Sequence, residues 1–239
     1  MTVHLTNGSH EKRADGMCAM EAAAYIAGER HSDHPVCVSS VITEFMMRWN
    51  DGLPTDAERD RLLKPLLPLV LHTRTSEADE ETRAWLATDW LVRVHAATWL
   101  ERGGLKDHAE RLRALPPFTS SEITLAAQQT LSAAAAAAGA TAWDAAKDAA
   151  WDAAKAAARD AAGAAAAAGA TAVAGATAWA AAGAATWAAA TAGDAAGAAL
   201  APTVLVLQAS AQDLVRRMCA VGEVTERPMR SERLAEVLT

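Results

Sequence analysis

Apolar side chains recur every three to four residues along most of the chain, which is the spacing of an amphipathic α-helix. The first predicted helix covers about residues 17–27, with Asp15 as its N-cap and Gly28 just beyond its end. A second covers about residues 40–50 and carries an apolar face before an Asn-Asp-Gly turn. Between them lies a polar loop, through which Pro35 prevents the helix from continuing.

The helical pattern continues beyond that turn as far as a Pro-Pro pair. Residues 77–102 have the longest amphipathic stretch, and a shorter helix is predicted at about residues 105–115. The pattern therefore predicts a compact helical domain over residues 14–117, preceded by a flexible arm over residues 1–13.

Alanine dominates residues 118–201, where glycine also recurs. The tract contains four tryptophans: Trp143, Trp151, Trp179 and Trp187. Trp143 and Trp187 are centred on Ala165, and so are Trp151 and Trp179. In an antiparallel helical hairpin the two members of each pair would therefore lie side by side. A single helix of about 80 residues, about 120 Å long, is the alternative geometry. Compositional drift is an alternative explanation for the alanine-rich composition of the tract, although it does not explain the fold.

Pro202 is predicted at the first position of a new helix, where its missing N–H does no harm. This helix is amphipathic, and residues 231–238 form a further short one, so residues 202–239 are predicted as C-terminal helices. The pattern thus predicts an all-α fold. It comprises a compact helical N-terminal domain, a long alanine-rich antiparallel helical hairpin and a C-terminal amphipathic helix.

Composition narrows the partners that the chain can bind. Its 239 residues carry a formal net charge of −7, which argues against binding of duplex nucleic acid through a basic surface. Three cysteines, an odd number, favour a reducing compartment, and the polar N-terminus has no apolar signal core. We therefore expect a cytoplasmic protein. Residues 161–193 lack charge, but they have little besides Ala, Gly, Thr and Trp, which argues against a membrane span.

Side chains suited to metal binding and nucleophilic chemistry concentrate around the first loop: Cys18, Glu21, His31, Asp33, His34 and Cys37. Two cysteines and two histidines would complete a closed tetrahedral zinc site. The candidate ligands are Cys18, His31, His34 and Cys37. Their spacing matches no standard zinc finger. Zinc is the cofactor that this set predicts, and it would hold the polar loop between two helices.

The same cluster also permits a thiol nucleophile. Cys18 lies in the first turn of its predicted helix, where the helix dipole would lower the pKa of its thiol. His34 or His31 would act as the base, and a neighbouring carboxylate would orient it. The simpler interpretation is that Cys18 and Cys37 are small core residues and that the loop is only a turn.

A third interpretation is a binding site without catalysis. Glu21 and Asp33 would supply carboxylates, and Trp49 and Asp51, at the end of the second helix, would line a pocket. An aromatic residue at a helix end usually packs into the core instead. The sequence contains no phosphate-binding glycine loop, no His-Glu-x-x-His motif and no serine triad signature.

Several motifs recur together in this chain: Met-Cys-x-Met-Glu-Ala, Ser-Asp-His-Pro-x-Cys, a Trp-Asn-Asp turn, Asp-Trp-Leu in a middle helix, and an Ala-Pro-Thr-Val tail. With them the chain resembles, over nearly its full length, a family of uncharacterised proteins of actinobacteria and their phages. The resemblance implies a bacterial or phage protein and no established activity. His31 is not part of the family pattern, so the resemblance ranks it below the other candidates. These are Cys18, Glu21, Asp33, His34 and Cys37.

The sequence as a whole favours a non-enzymatic helical binding or interaction protein, such as a phage or host-defence accessory factor. It would act through a protein partner or through self-association. The N-terminal domain would present the Cys/His loop, and the alanine hairpin would serve as a scaffold. Two alternatives stay open: a Cys/His-dependent enzyme, such as a thiol hydrolase or transferase, and a structural zinc-binding module.

Overall fold

The computed structural model describes residues 3–141, 194–223 and 228–238. Over these residues the protein is all-α, as predicted, because every regular element in them is a helix. An isolated β-bridge joins Leu5 to Met17, and no longer strand occurs within the described ranges. No helix among those described is both long enough and apolar enough to span a lipid bilayer.

In chain order the α-helices of the described ranges are α1 (Ala19–Ala27), α2 (Ser40–Gly52), α3 (Asp56–Leu63), α4 (Leu67–Val70), α5 (Glu77–Asp89), α6 (Ala97–Arg102), α7 (Lys106–Arg113), α8 (Ser121–Thr141), α9 (Asp194–Cys219) and α10 (Ser231–Leu238). Short 3₁₀ turns cover Arg13–Asp15 and Lys64–Leu66. A π-helical segment, Trp90–Ala96, joins α5 directly to α6. The helix predicted at residues 77–102 is therefore continuous but locally widened.

Two predicted helix starts are wrong. Cys18, not Asp15, is the N-cap of α1, because its Sγ accepts a hydrogen bond from the Glu21 backbone N–H at 3.4 Å. Asp15 belongs to the preceding 3₁₀ turn. Pro202 lies inside α9 rather than at its first position. The predicted end of α1 is confirmed, since Gly28 follows it in the left-handed region with a φ of 82°.

The chain folds into two compact units: Met1–Arg83 with Gln212–Thr239, and Ala84–Ala211. The division after Arg83 falls within α5, where the amphipathic pattern is continuous and gives no sign of a boundary. In the first unit α1 packs against α2, α4 and α10. The core of this unit includes the buried side chains Ile26, Ile42, Phe45, Met46, Trp49 and Leu63.

Arg83 joins the two chain segments of the first unit. Its fully buried guanidinium donates to the Met218 carbonyl at 3.1 Å and to the Val221 carbonyl at 2.7 Å. It also donates to Glu80 Oε1 at 2.9 Å. The Met218 carbonyl lies in the last turn of α9 and also accepts the Val221 N–H at 3.3 Å, and the Val221 carbonyl lies two residues beyond the helix. The arginine therefore caps this helix.

Residues 3–16 pack onto the first unit instead of forming the predicted flexible arm. Leu5 has no exposed surface, and its N–H donates to Asp60 Oδ1 at 2.8 Å. The Gly8 N–H donates to Asp51 Oδ1 at 2.8 Å. Carboxylates on other elements thus hold the backbone of this polar segment, which has no helical apolar pattern of its own.

Aromatic side chains fill the centre of the second unit. Trp90 and Trp99 are each 1% exposed, and the His95 ring lies near both. Trp99 Nε1 donates to His95 Nε2 at 3.1 Å, and Trp90 Nε1 donates to Ser210 Oγ at 3.0 Å. Helix α7 packs against both α6 and the π-helical segment, and α8 packs against α7.

The start of the alanine tract forms α8. Its buried positions follow a spacing of three and four residues: Thr124, Ala127, Leu131, Ala134 and Ala138. Alanine therefore packs along one face of this helix. The predicted hairpin turn near Ala165, with its four tryptophans, lies outside the described residues and stays a prediction.

Candidate functional site

The candidate site centres on Glu21, whose carboxylate is buried at the start of α1. The residue is 1% exposed and is the third residue of the helix. Its Oε2 accepts the Cys18 N–H at 2.8 Å, while the Cys18 Sγ accepts the Glu21 N–H. This reciprocal pair is a capping box, and a carboxylate at this position also interacts favourably with the helix dipole.

Two histidines surround the rest of the Glu21 carboxylate. His10 donates its backbone N–H to Oε1 at 2.6 Å, and its ring Nδ1 lies 2.8 Å from Oε2. The His31 Nε2 lies 3.5 Å from Oε1 and 2.9 Å from the backbone oxygen of His10. Because carboxylate and carbonyl oxygens only accept, the proton is assigned to Nδ1 of His10 and to Nε2 of His31.

Gly16 allows His10 to approach this network. The other ring nitrogen of His10, Nε2, lies 3.2 Å from Thr6 Oγ1. Gly16 packs against both groups and has a φ of 131°. A Cβ at this position would lie 2.6 Å from Thr6 Oγ1 and 2.9 Å from His10 Nε2. Any larger residue would therefore strain the backbone and displace the histidine.

The environment of Cys18 opposes its predicted role as a nucleophile. Burial raises the pKa of its thiol to about 12, and the negative charge of Glu21 acts in the same direction. The predicted lowering of the pKa by the helix N-terminus is outweighed by desolvation. Of the two predicted bases, His34 has Asp33 and Glu44 as its partners, and His31 contacts Glu21 and the backbone oxygen of His10. The contacts of both histidines are therefore with oxygen atoms of other residues and not with the Cys18 thiol.

The loop of residues 29–38 is fixed mainly by Glu29. One oxygen of its carboxylate accepts the Val36 N–H at 2.6 Å, and the other accepts the Cys37 N–H at 2.9 Å. On the other side, the Arg74 N–H donates to the Cys37 carbonyl at 3.0 Å. Hydrogen bonds therefore hold the loop backbone from both sides.

This fixed loop presents an apolar and a titratable side chain to solvent. Val36 is 71% exposed. The His34 Nδ1 lies 2.8 Å from Asp33 Oδ1, and its Nε2 lies 3.5 Å from Glu44 Oε1. The hydrogen bond to Asp33 raises the pKa of His34 above 6.5, and the charges of Asp33 and Glu44 add to this effect. Desolvation opposes the shift and is weaker.

The four predicted zinc ligands do not share one centre. Cys18 and His31 both adjoin Glu21, whereas His34 lies between two other carboxylates. Cys37 lies near Glu29, and burial raises the pKa of its thiol to about 11. Across the described parts of the chain, no group of three or more His, Cys, Asp or Glu residues is placed to hold a metal ion. The predicted zinc site is therefore not assembled.

The other predicted binding residues, Trp49 and Asp51, have partners within the protein. Trp49 is 1% exposed, and its ring packs edge-on against Phe45 with centroids 5.9 Å apart. The Asp51 carboxylate accepts the Gly8 N–H at 2.8 Å and the Asn50 Nδ2 group at 3.1 Å. Both residues thus help to hold the fold around the candidate site.

Sequence reasoning missed three residues that define the site: His10, Glu29 and Val36. His10 lies in the segment that was predicted to be a flexible arm. Glu29 binds backbone groups seven and eight residues further along, a separation with no standard motif. Val36 is an apolar residue in a polar loop, which sequence patterns do not distinguish, and its 71% exposure is known only from the folded chain.

The chain was compared with protein families, curated proteins and solved structures. No family model, no curated protein and no solved structure matches the chain.

Proposed function

We propose that the protein is a non-enzymatic helical binding protein that contacts a protein partner through residues 29–38, which we call the recognition loop. The observation that carries this proposal is the exposure of Val36, 71%, on a backbone that Glu29 holds in place. Loops that a rigid scaffold holds in place commonly carry binding residues.

The fixed backbone lowers the cost of binding. A loop that must become ordered on binding loses conformational entropy, and this loss subtracts from the affinity. The recognition loop is ordered in advance, because the Val36 and Cys37 N–H groups already have acceptors. Full burial of a valine side chain in a partner's pocket contributes about 1.5–3 kcal/mol. Val36 would supply the apolar centre of the contact, and His34 with its carboxylates would form the polar rim.

The network around Glu21 supports the base of the recognition loop. His31 belongs to the loop, and its ring contacts both Glu21 and the backbone of His10. A loop residue is thereby tied to α1 and to the N-terminal segment. We infer that the contacts around Glu21 hold the recognition loop in position.

The thiol hydrolase or transferase alternative has less support. A thiol with a pKa of about 12 is ionised in about one molecule in 10⁵ at pH 7, and the thiolate is the reactive form. The zinc-module alternative lacks a common centre for its ligands. The resemblance to actinobacterial and phage proteins suggests a setting for the binding function, a cytoplasmic accessory factor of a phage or of host defence.

A site-specific photocrosslink tests the proposal. An aliphatic diazirine amino acid replaces Val36 in the cell, and a control chain carries it at Leu125, which is 65% exposed. We expect a discrete crosslinked protein, or a second copy of the chain, from position 36 and not from position 125. Excess unlabelled protein should compete with this crosslink. Equal crosslinking at both positions, or none at position 36, would contradict the proposal.

A further inference from the structure

Helix α10, Ser231–Leu238, depends on the rest of the first unit for its structure. It has 8 residues, and isolated helices shorter than about 12 residues are not stable in water. It packs against α1 and against the 3₁₀ turn Lys64–Leu66. Its buried apolar anchor is Val237, with no exposed surface, whereas the neighbouring Leu238 is 45% exposed. Val237 is thus the one fully buried apolar side chain of this helix, and Leu234 is partly buried beside it.

Polar contacts hold the same segment to the end of α1. The Arg230 N–H donates to the Ile26 carbonyl at 2.9 Å, and Arg233 Nη1 donates to the Tyr25 carbonyl at 2.9 Å. These carbonyls lie in the last turn of α1, where the Tyr25 carbonyl also accepts the Gly28 N–H at 3.1 Å. The Tyr25 hydroxyl donates to Glu236 Oε2 at 2.6 Å, at an exposed position. Water can replace such contacts at the surface.

Tyr25 couples this segment to the N-terminal segment. The Arg233 Cζ lies 4.6 Å from the centroid of the Tyr25 ring, and the Arg13 Cζ lies 4.4 Å from it. Each guanidinium is attracted to the ring by a cation–π interaction. One aromatic side chain is therefore shared by residues from two distant parts of the chain. Removing one arginine leaves the other in place.

We propose that residues 228–238 form a strap that opens and closes on the first unit while the rest of that unit stays folded. Closing the strap buries Val237 and completes the α1 terminus, but it also orders a segment that is disordered by itself. Elements with few buried apolar contacts open at low free energy. Opening uncovers the apolar surface under Val237 and leaves the Tyr25 ring with Arg13 alone.

Native-state hydrogen exchange of the full chain tests the strap. We expect amides of α10 to exchange faster than those of α1 and α2 in the wild type. Val237→Ala should speed exchange in α10 about tenfold without changing α2, because it removes about two buried methylene equivalents. The matched control is Leu238→Ala, which should change the rate less than about twofold because this side chain is already half in solvent.

Tyr25 offers an independent measurement, because it is the chain's 1 tyrosine. Fluorotyrosine therefore labels this position alone, and ¹⁹F NMR reports on the ring directly. We expect Val237→Ala to shift the resonance toward that of a Glu236→Gln, Arg233→Gln variant, and Leu238→Ala to leave it unchanged. The strap is refuted if the amides of α10 exchange at the same rate as those of α2. It is also refuted if Val237→Ala speeds amide exchange equally throughout the first unit.

Discussion

Removal of the Glu21 carboxylate should destabilise the protein strongly. Glu21→Ala deprives three donors of their acceptor: the Cys18 N–H, the His10 N–H and the His10 ring Nδ1–H. Each buried donor without a partner costs about 1–3 kcal/mol. Water reaches part of the gap, since the His10 side chain is 14% exposed. We therefore expect a loss of about 3–5 kcal/mol, which is the sum for three buried donors reduced by the access of water.

The assay is urea denaturation followed by circular dichroism. Glu21→Gln retains one acceptor oxygen and should lose only about 1–3 kcal/mol. The matched control is Glu11→Ala, an exposed carboxylate in the same segment, which should stay within about 0.5 kcal/mol of the wild type. If Glu21→Ala were as stable as Glu11→Ala, the network would contribute nothing to folding and our description of the site would be refuted.

Three further predictions follow from the same structure. At pH 8, iodoacetamide should modify Cys18 more slowly than Cys37 and both more slowly than free cysteine, because burial raises both pKa values; equal rates for Cys18 and free cysteine would contradict this. Arg83→Met should cost about 3 kcal/mol in urea denaturation, because the Val221 carbonyl and the Glu80 carboxylate lose the buried guanidinium, while the Met218 carbonyl keeps the Val221 N–H. NMR titration should give His34 a pKa above 6.5, and Asp33→Asn should lower it. The pair of His34 with Asp33 therefore contributes its full stabilisation below pH 6.5, and this contribution is lost as the pH rises through the raised pKa of His34.

The helices could be predicted where periodicity is their main cause. The apolar spacing at residues 231–238 coincides with α10, and Gly28 ends α1 because only a left-handed residue fits there. The start of α1 could not be predicted in the same way. Cysteine is a weak acceptor and an uncommon N-cap, so Asp15 was the better candidate on chemical grounds.

The contacts of the N-terminal segment were beyond sequence reasoning. The Leu5 N–H pairs with Asp60, fifty-five residues away, and no periodic pattern records such a contact. The candidate site was predicted only in part for a similar reason. Glu21 and the polar loop stand out as residue types, but burial decides the ionisation of Cys18. Burial follows from packing, so the predicted direction of its pKa shift was wrong.

The most direct test of the binding function compares two variants with the partner captured at position 36. Val36→Ser removes the exposed apolar group, whereas Cys18→Ser removes the thiol and retains an oxygen that can cap α1. The measurement is the dissociation constant of each variant, with the melting temperature as a check on folding. We predict that Val36→Ser weakens binding about tenfold and that Cys18→Ser binds like the wild type. Loss of binding in Cys18→Ser with wild-type affinity in Val36→Ser would contradict the account.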